Sequence, residues 1–376
     1  MDIERVPSEK RLRIAVLADF DGPHARSWVR WFINRGHDVH VISFYPPVQP
    51  VVGATMHALR PSRAPSTTVD AARTARASTT RGRFGGTLRL AHGVRYRLAG
   101  LRRTLDEIKP DVFHGHFLVE HGFYGALAGV HPYVVTAWGS DVLVEPQRDP
   151  LSKLITRWTL GRADLVTSNN AYMAERITAL GTPSAKVHVI TLGAERYDLE
   201  RAADSVNRKP PSEQGAPLIV STRAQEPLYN INEIIEAFRT VAAKRPDARL
   251  VIAHTGSMTA RLRAQAEPLG AAVEFTGFLG REALRDLLAR ATVFVSVPSS
   301  DATSVGLLQA MAAGAFPVVS DLPTQRELID GGVNGFRVPL HQPDVLAARI
   351  DDAIADTDLR PRAAEANLRI VEERGL

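Results

Sequence analysis

The sequence predicts an α/β protein made of two doubly wound parallel-sheet domains, and three observations carry that prediction. Short runs rich in Val and Ile alternate with helical stretches almost from end to end, the pattern of parallel strands joined by crossover helices on both faces of a sheet. A length of 376 residues exceeds one ordinary core and suits two, each large enough to form without staples. Between them the alternation stops around residues 200–215, where polar side chains and the tandem Pro210 and Pro211 read as an interdomain linker. The first domain is therefore expected over 1–200 and the second over 216–355.

In the first half the pattern predicts strands at 13–18, 38–44, 55–59, 111–116, 133–137, 164–167 and 187–190, with helices between most of them. Residues 61–87 interrupt the rhythm with Pro, Ser, Thr, Gly and Arg, and read as a long loop followed by a helix over 88–108. Beyond the linker the rhythm resumes with strands at 218–222, 249–253, 273–275, 292–297, 316–320 and 335–338. No repeat of solenoid period is visible.

Composition excludes several function classes. With no Cys, disulfides and thiolate metal sites are ruled out. The N-terminus is charged and its first apolar run, 14–18, is too short for a signal-peptide core or a membrane span, so a cytoplasmic protein is expected. The net charge of +5 is unevenly spread: between Arg60 and Arg103 eleven Arg face one acid, Asp70, a local +10, and the remainder carries −5. That segment is either a solvated basic loop or a contact for an anionic acceptor or a membrane surface. It lacks the aromatic-interleaved basic motif or reader fold of a nucleic-acid binder, so nucleic acid is not an expected partner.

Chemistry concentrates in 296–321, SVPSSDATSVGLLQAMAAGAFPVVSD, read as buried strand, polar hairpin, small-residue helix and second strand. Ser299, Ser300, Asp301, Thr303 and Ser304 stand where the strand gives way to the helix. There the first amides lack partners and the positive end of the dipole faces the loop, which makes a cradle for a phosphate. Two further segments should reach the carboxyl ends of the same strands. In STRAQEPLYN, Arg223 ends the first strand and can fork onto a diphosphate or pair with Glu226; in EFTGFLG, Gly277 and Phe278 close a strand either beside a nucleotide base or as an ordinary turn.

Together with the run RELIDGGVNGFRVP at 326–339, this stretch resembles the signature of the family 4 glycosyltransferases, retaining enzymes of the GT-B fold. STRAQEPLYN, GHDVHVIS at 36–43 and TAWGSDVL at 136–143 resemble one subgroup of that family, and the likeness spans nearly the whole chain. It implies two Rossmann-like domains facing a cleft, with the acceptor on the N-terminal side and the nucleotide sugar held mainly by the C-terminal one. Relatives often end in helices that cross back, so 356–376 is expected to pack toward the first domain.

By the same resemblance, Asp301 and Gln309 occupy the positions of two glutamates that touch the donor sugar and the ribose. The Ser304 and Val305 amides, with the Thr303 hydroxyl, match the diphosphate contacts, and Arg223 matches the phosphate arginine. Ser300, Glu226, Gly277 and Phe278 complete the expected donor set. Leu228 and Tyr229 stand where the family has a lysine. On the acceptor side the resemblance points to His24 and Arg26 after the first strand, to His116 and His121 around the fourth, and to Trp138, Gly139 and Asp141, with Trp138 replacing a family histidine. Arg223, Asp301 and His24 are the expected catalytic residues.

Asp19 and Asp21 form a D-x-D at the end of the first strand, but family 4 enzymes generally need no metal, and none is expected. The chain has no P-loop and no G-x-G-x-x-G, which disfavours an ATPase or a dinucleotide oxidoreductase. The expected function is retaining glycosyl transfer from a UDP- or TDP-sugar to a hydroxyl acceptor in polysaccharide or secondary-metabolite assembly, with no cofactor. The alternatives are a GT-B sugar-nucleotide epimerase and a catalytically silent sugar-nucleotide-binding protein.

Overall fold

The computed structural model describes residues 10–20, 23–47, 49–59, 85–191, 193 and 215–374. The expected linker, most of the Arg-rich loop and Asp21 lie outside the described residues. The chain divides into two compact units, Met1–Ile190 and Thr191–Leu376.

The first unit is built on a seven-stranded sheet of β1 (Arg13–Leu17), β2 (Asp38–Ser43), β3 (Thr55–Ala58), β4 (Val112–His116), β5 (Tyr133–Thr136), β6 (Leu165–Ser168) and β7 (Val187–Val189). Its order is β3-β2-β1-β4-β5-β6-β7 and every pairing is parallel. Parallel strands need crossovers, which here include helices Pro23–Asn34, Gly85–Ile108, His121–Ala128, Pro150–Arg162 and Ala171–Ala179. The runs RIAVL and DVHVIS bury Ile14, Val16, Val39 and Val41 against Ala25 and Val29 of the first helix.

The second unit holds a six-stranded parallel sheet of β8 (Leu218–Ser221), β9 (Arg249–Ala253), β10 (Val273–Gly277), β11 (Val293–Ser296), β12 (Phe316–Ser320) and β13 (Phe336–Val338), in the order β10-β9-β8-β11-β12-β13. Both faces are covered, because alternate residues of one strand point to opposite sides. Ile219, Leu250, Ile252, Val293 and Val295 pack with helices Ile231–Lys244 and Pro343–Ala355. Val220, Val251, Phe294 and Val319 pack with helices Arg281–Arg290 and Val305–Ala312.

All thirteen strands fall where the alternation predicts them, within a residue or two at most ends. The terminal helix, Leu359–Arg374, takes its place in the second unit: Val371 is buried in the Val220 and Phe294 cluster, and Asn367 exchanges two 2.9 Å hydrogen bonds with Asn334. Its apolar and amide groups find their partners there.

Candidate functional site

The second sheet reverses direction between β8 and β11, so the segments leaving these neighbours diverge and leave room at their carboxyl ends. Arg223 leaves β8 and residues 299–304 leave β11, which brings them together across a separation of some eighty positions in sequence. The Arg223 guanidinium donates through Nη1 to Ser304 Oγ at 2.7 Å and through Nη2 to Asp301 Oδ1 at 3.1 Å. Its plane lies over the Tyr229 ring, 4.2 Å from the centroid.

Ser304 is the N-cap of helix Val305–Ala312, and its hydroxyl also accepts the Leu307 amide. The Val305 and Gly306 amides have no intrahelical acceptor, as the first turn of any helix dictates. Gly306 also lets the helix end approach β8: a Cβ there would lie 3.0 Å from Thr222 Oγ1. Asp301 accepts the Ala302 amide through Oδ1, whereas its Oδ2 is buried with no hydrogen-bond partner. Burial pushes the Asp301 carboxyl up in pKa, and the Arg223 charge beside it opposes that. The outcome is a cation and a helix N-terminus facing one small space, with an unpaired carboxylate oxygen at its side. That arrangement accepts an anion flanked by a hydroxyl donor.

Ser300, Thr303, Val305 and Gln309 are half-buried on the same loop and first turns of helix. The Glu226 carboxylate receives the Ser257 amide at 3.0 Å and the Ser257 hydroxyl at 2.5 Å. Asp301 has the shorter reach to the guanidinium, and the 254–258 loop offers Glu226 two donors. Gly277 and Phe278 end β10, the edge strand. Gly277 has φ +73°, and Phe278 is 76% exposed with its ring edge-on to His254 at 5.7 Å.

The first unit has its own switch point, between β1 and β4. Here His24 is exposed, with its ring 5.0 Å from that of Trp138, and Trp138 lies 5.4 Å from His116. His116 is 2% exposed, and neither ring nitrogen has a partner among the described residues. Burial, followed by neighbouring His114, His121 and His24, holds its pKa well below the usual range, so the ring is neutral. His114 is also fully buried, its pKa lowered to about 3 by desolvation, and its Nε2 stands 2.6 Å from Thr136 Oγ1. His121 is buried and stacked flat on Phe44 at 5.0 Å.

Two residues assigned to the acceptor hydrogen-bond to the backbone. Arg26 directs Nε to the Phe20 carbonyl, Nη1 to that of Pro50 and Nη2 to that of Gln49, which ties the loop before its helix to the loop after β2. Asp141 is fully buried, and its carboxylate accepts amides from Trp138, Gly139 and Leu118 at 2.9–3.0 Å. Desolvation raises its pKa to about 6, against the pull of those amides. It holds Trp138 and Gly139 in place, and Gly139, at φ +124° and ψ −74°, adopts a backbone that suits only glycine. Among the described residues no group of three His, Asp or Glu is placed to hold a metal ion.

Three site residues escape a reading by motif. Gln225, fully buried, exchanges backbone hydrogen bonds with Thr255 and Met258 and donates its side-chain amide to the His254 carbonyl. Gly256 lies so close that a Cβ would sit 2.4 Å from the Gln225 carbonyl oxygen. Asn230, at the start of helix Ile231–Lys244, ties that helix to the loop after β11 by donating to Val297 O at 2.9 Å and Ser299 Oγ at 2.8 Å. Only Asn230 carries a local signal, a turn-prone residue just before a helix.

The chain matches the glycosyl transferase 4-like domain over residues 22–193 and the glycosyl transferases group 1 domain over residues 203–369. It is 32% identical to the phosphatidyl-myo-inositol mannosyltransferase of Mycobacterium tuberculosis over 143 residues, 38% of this chain, and that match spans 37% of the mannosyltransferase. It is 27% identical to an uncharacterized glycosyltransferase of Methanocaldococcus jannaschii over 267 residues, 67% of this chain and 68% of that one. Among solved structures, Anabaena HepE in complex with UDP and glucose superposes with a TM-score of 0.72 over 97% of this chain and 96% of that one, at 18% identity. Sucrose-phosphate synthase of Thermosynechococcus elongatus gives 0.75 over 97% and 95%, at 14% identity, so the likeness to these structures is one of fold.

Proposed function

We propose, on the premise that the chain belongs to the family 4-like glycosyltransferases of the GT-B fold, that it transfers a glycosyl group from a UDP- or TDP-sugar to a hydroxyl acceptor with retention at the anomeric carbon. The observation that carries this reading is Arg223 held at the N-terminus of helix Val305–Ala312 by Ser304 and Asp301.

In the proposed reaction the bond between the anomeric carbon and the diphosphate oxygen breaks, and the acceptor oxygen bonds to the same face of the sugar. The acceptor's proton passes to the departing diphosphate. Negative charge therefore grows on that diphosphate, where Arg223 and the Ser304 and Val305 amides are assigned to meet it in a partly water-excluded setting. These groups are already in place before donor arrives, so little reorganisation accompanies the chemistry. Protein groups, not a metal, are assigned that charge. The unpaired Asp301 Oδ2 accepts a donor-sugar hydroxyl, and Gln309 addresses the ribose. The family resemblance assigns His116 and Trp138 of the first unit, whose rings lie 5.4 Å apart, to the acceptor side.

Incubation with a panel of UDP- and TDP-sugars, monitoring free nucleoside diphosphate with and without glycan and small-molecule acceptors, tests the proposal. Acceptor-dependent release with retained anomeric configuration supports it. Donor consumption without acceptor indicates an epimerase, and binding without turnover a silent binding protein.

A further inference from the structure

We propose that helix Pro150–Arg162 docks the chain onto a lipid surface bearing anionic headgroups. The helix, PLSKLITRWTLGR, exposes Leu151 (64%), Leu154 (63%) and Trp158 (38%). At 3.6 residues per turn these three fall within an arc of about 60°, a single outward stripe. The opposite face is buried through Thr156, Thr159 and Leu160, so the helix is anchored there; of the stripe only Trp158 also packs, through one ring edge on Phe123, and Leu151 and Leu154 stay largely exposed.

The charges beside the stripe have one sign. Lys153, Arg157 and Arg162 are exposed, and the helix contains no Asp or Glu. The two acids just before it are already engaged: Asp149 caps the helix by accepting from Ser152, and Glu145 pairs with Arg148 at 2.9 Å. The Arg162 guanidinium lies 5.9 Å from the Trp158 ring, which rests edge-on to Phe123 at 5.5 Å. Phe123 belongs to helix His121–Ala128, which is tied in turn to helix Gly85–Ile108 where Arg102 donates to the Leu127 carbonyl at 2.8 Å. Arg102 and Arg103 are exposed there, next to the exposed Asp106 and Glu107, so the one-signed charge is confined to helix Pro150–Arg162.

A lipid surface fits this arrangement better than a second copy of the chain, which would bring one row of cations against another. Leu side chains at the acyl boundary, an indole at headgroup depth and basic stems reaching phosphates form the usual division of labour in an interfacial helix. No helix among the described residues is long and apolar enough to cross a membrane, so the association would be peripheral.

Co-sedimentation of the full chain with phosphatidylcholine vesicles, with and without phosphatidylglycerol, tests the inference. Partitioning is expected to be at least about tenfold stronger on the anionic vesicles and to fall with added salt. Leu151→Ser with Leu154→Ser, and separately Lys153→Glu with Arg157→Glu, should each reduce it at least about tenfold, with melting temperatures unchanged because the sites are exposed. Absence of enrichment on phosphatidylglycerol vesicles overturns the proposal. So does binding that persists undiminished in both variants, which would assign it to the segment between Arg60 and Arg103.

Discussion

Arg223 and Asp301 form a half-buried ion pair at the N-terminus of helix Val305–Ala312, with 13% of each side chain exposed and Nη2 3.1 Å from Oδ1. The pair keeps the guanidinium aimed at the helix end in the absence of donor. A diphosphate arriving there meets a cation whose orientation is already fixed by Asp301, Ser304 and the Tyr229 face. Arg223→Ala should therefore lower turnover at saturating donor at least about tenfold, in line with the loss of one charge-assisted bond made to the departing group. Arg223→Lys should recover only part of it, since an ammonium cannot fork to two partners. Steady-state release of nucleoside diphosphate measures both, and near-native turnover of the Ala variant would remove Arg223 from the mechanism.

The buried His114 makes stability depend on pH. Its folded pKa of about 3 lies below the ordinary 6.5, so below pH 6.5 the unfolded chain binds a proton that the folded one does not. Stability is fully present above pH 6.5 and declines as pH falls toward 3. By pH 5 this one group should account for about 2 kcal/mol. His114→Gln keeps a polar atom for Thr136 and removes the titration, so its melting temperature should fall less between pH 7.5 and 5 than that of the native chain. Parallel slopes for the two proteins would refute the assignment.

The alternation of apolar runs located the strands because each strand is buried on both faces and the signal is local. Arg223 was legible for a related reason: a charged residue at the end of a buried strand has one place to go, the carboxyl edge. The backbone partners of Arg26 and Asp141 at Gln49, Pro50 and Leu118 were not legible, because they lie about 23 positions away and a carbonyl or an amide leaves no trace in sequence. Which partner Glu226 takes is a competition that only geometry decides, and its carboxylate accepts from Ser257. The Asn334–Asn367 hydrogen bonds that seat the terminal helix in the second unit are a long-range match of two ordinary residues, which leaves no pattern in the sequence.

Gly256 is a second place where the site depends on close approach. A methyl group there would meet the Gln225 carbonyl oxygen at 2.4 Å and the Gln225 amide nitrogen at 2.9 Å, both backbone atoms that cannot swing aside. Gly256→Ala must push the 254–258 loop away from the segment that carries Arg223. Overpacking of this kind destabilises by about 1–3 kcal/mol, and nucleotide affinity should drop along with it. Thermal melting and UDP titration on the same variant check the pair of effects. Unchanged UDP affinity in a destabilised variant would separate the loop from the site.

Gln309 sets the last expectation, because it stands where family relatives carry a glutamate facing the ribose. A carboxylate accepts from both ribose hydroxyls at once, and its charge strengthens each bond; an amide offers one accepting oxygen and a donating nitrogen that has no use for a second hydroxyl proton. The thymidine of TDP lacks the 2′-hydroxyl, so the native chain should bind UDP and TDP with affinities within about threefold of each other. Gln309→Glu restores the bidentate acceptor and should raise the preference for UDP by about tenfold, the effect of one charge-assisted hydrogen bond. The residue is half-buried at the fifth position of helix Val305–Ala312, and glutamate keeps the size and shape of the side chain, so the variant should fold. Calorimetric titration of both nucleotides into both proteins decides it: a native chain that already prefers UDP tenfold would show that ribose discrimination comes from elsewhere in the site.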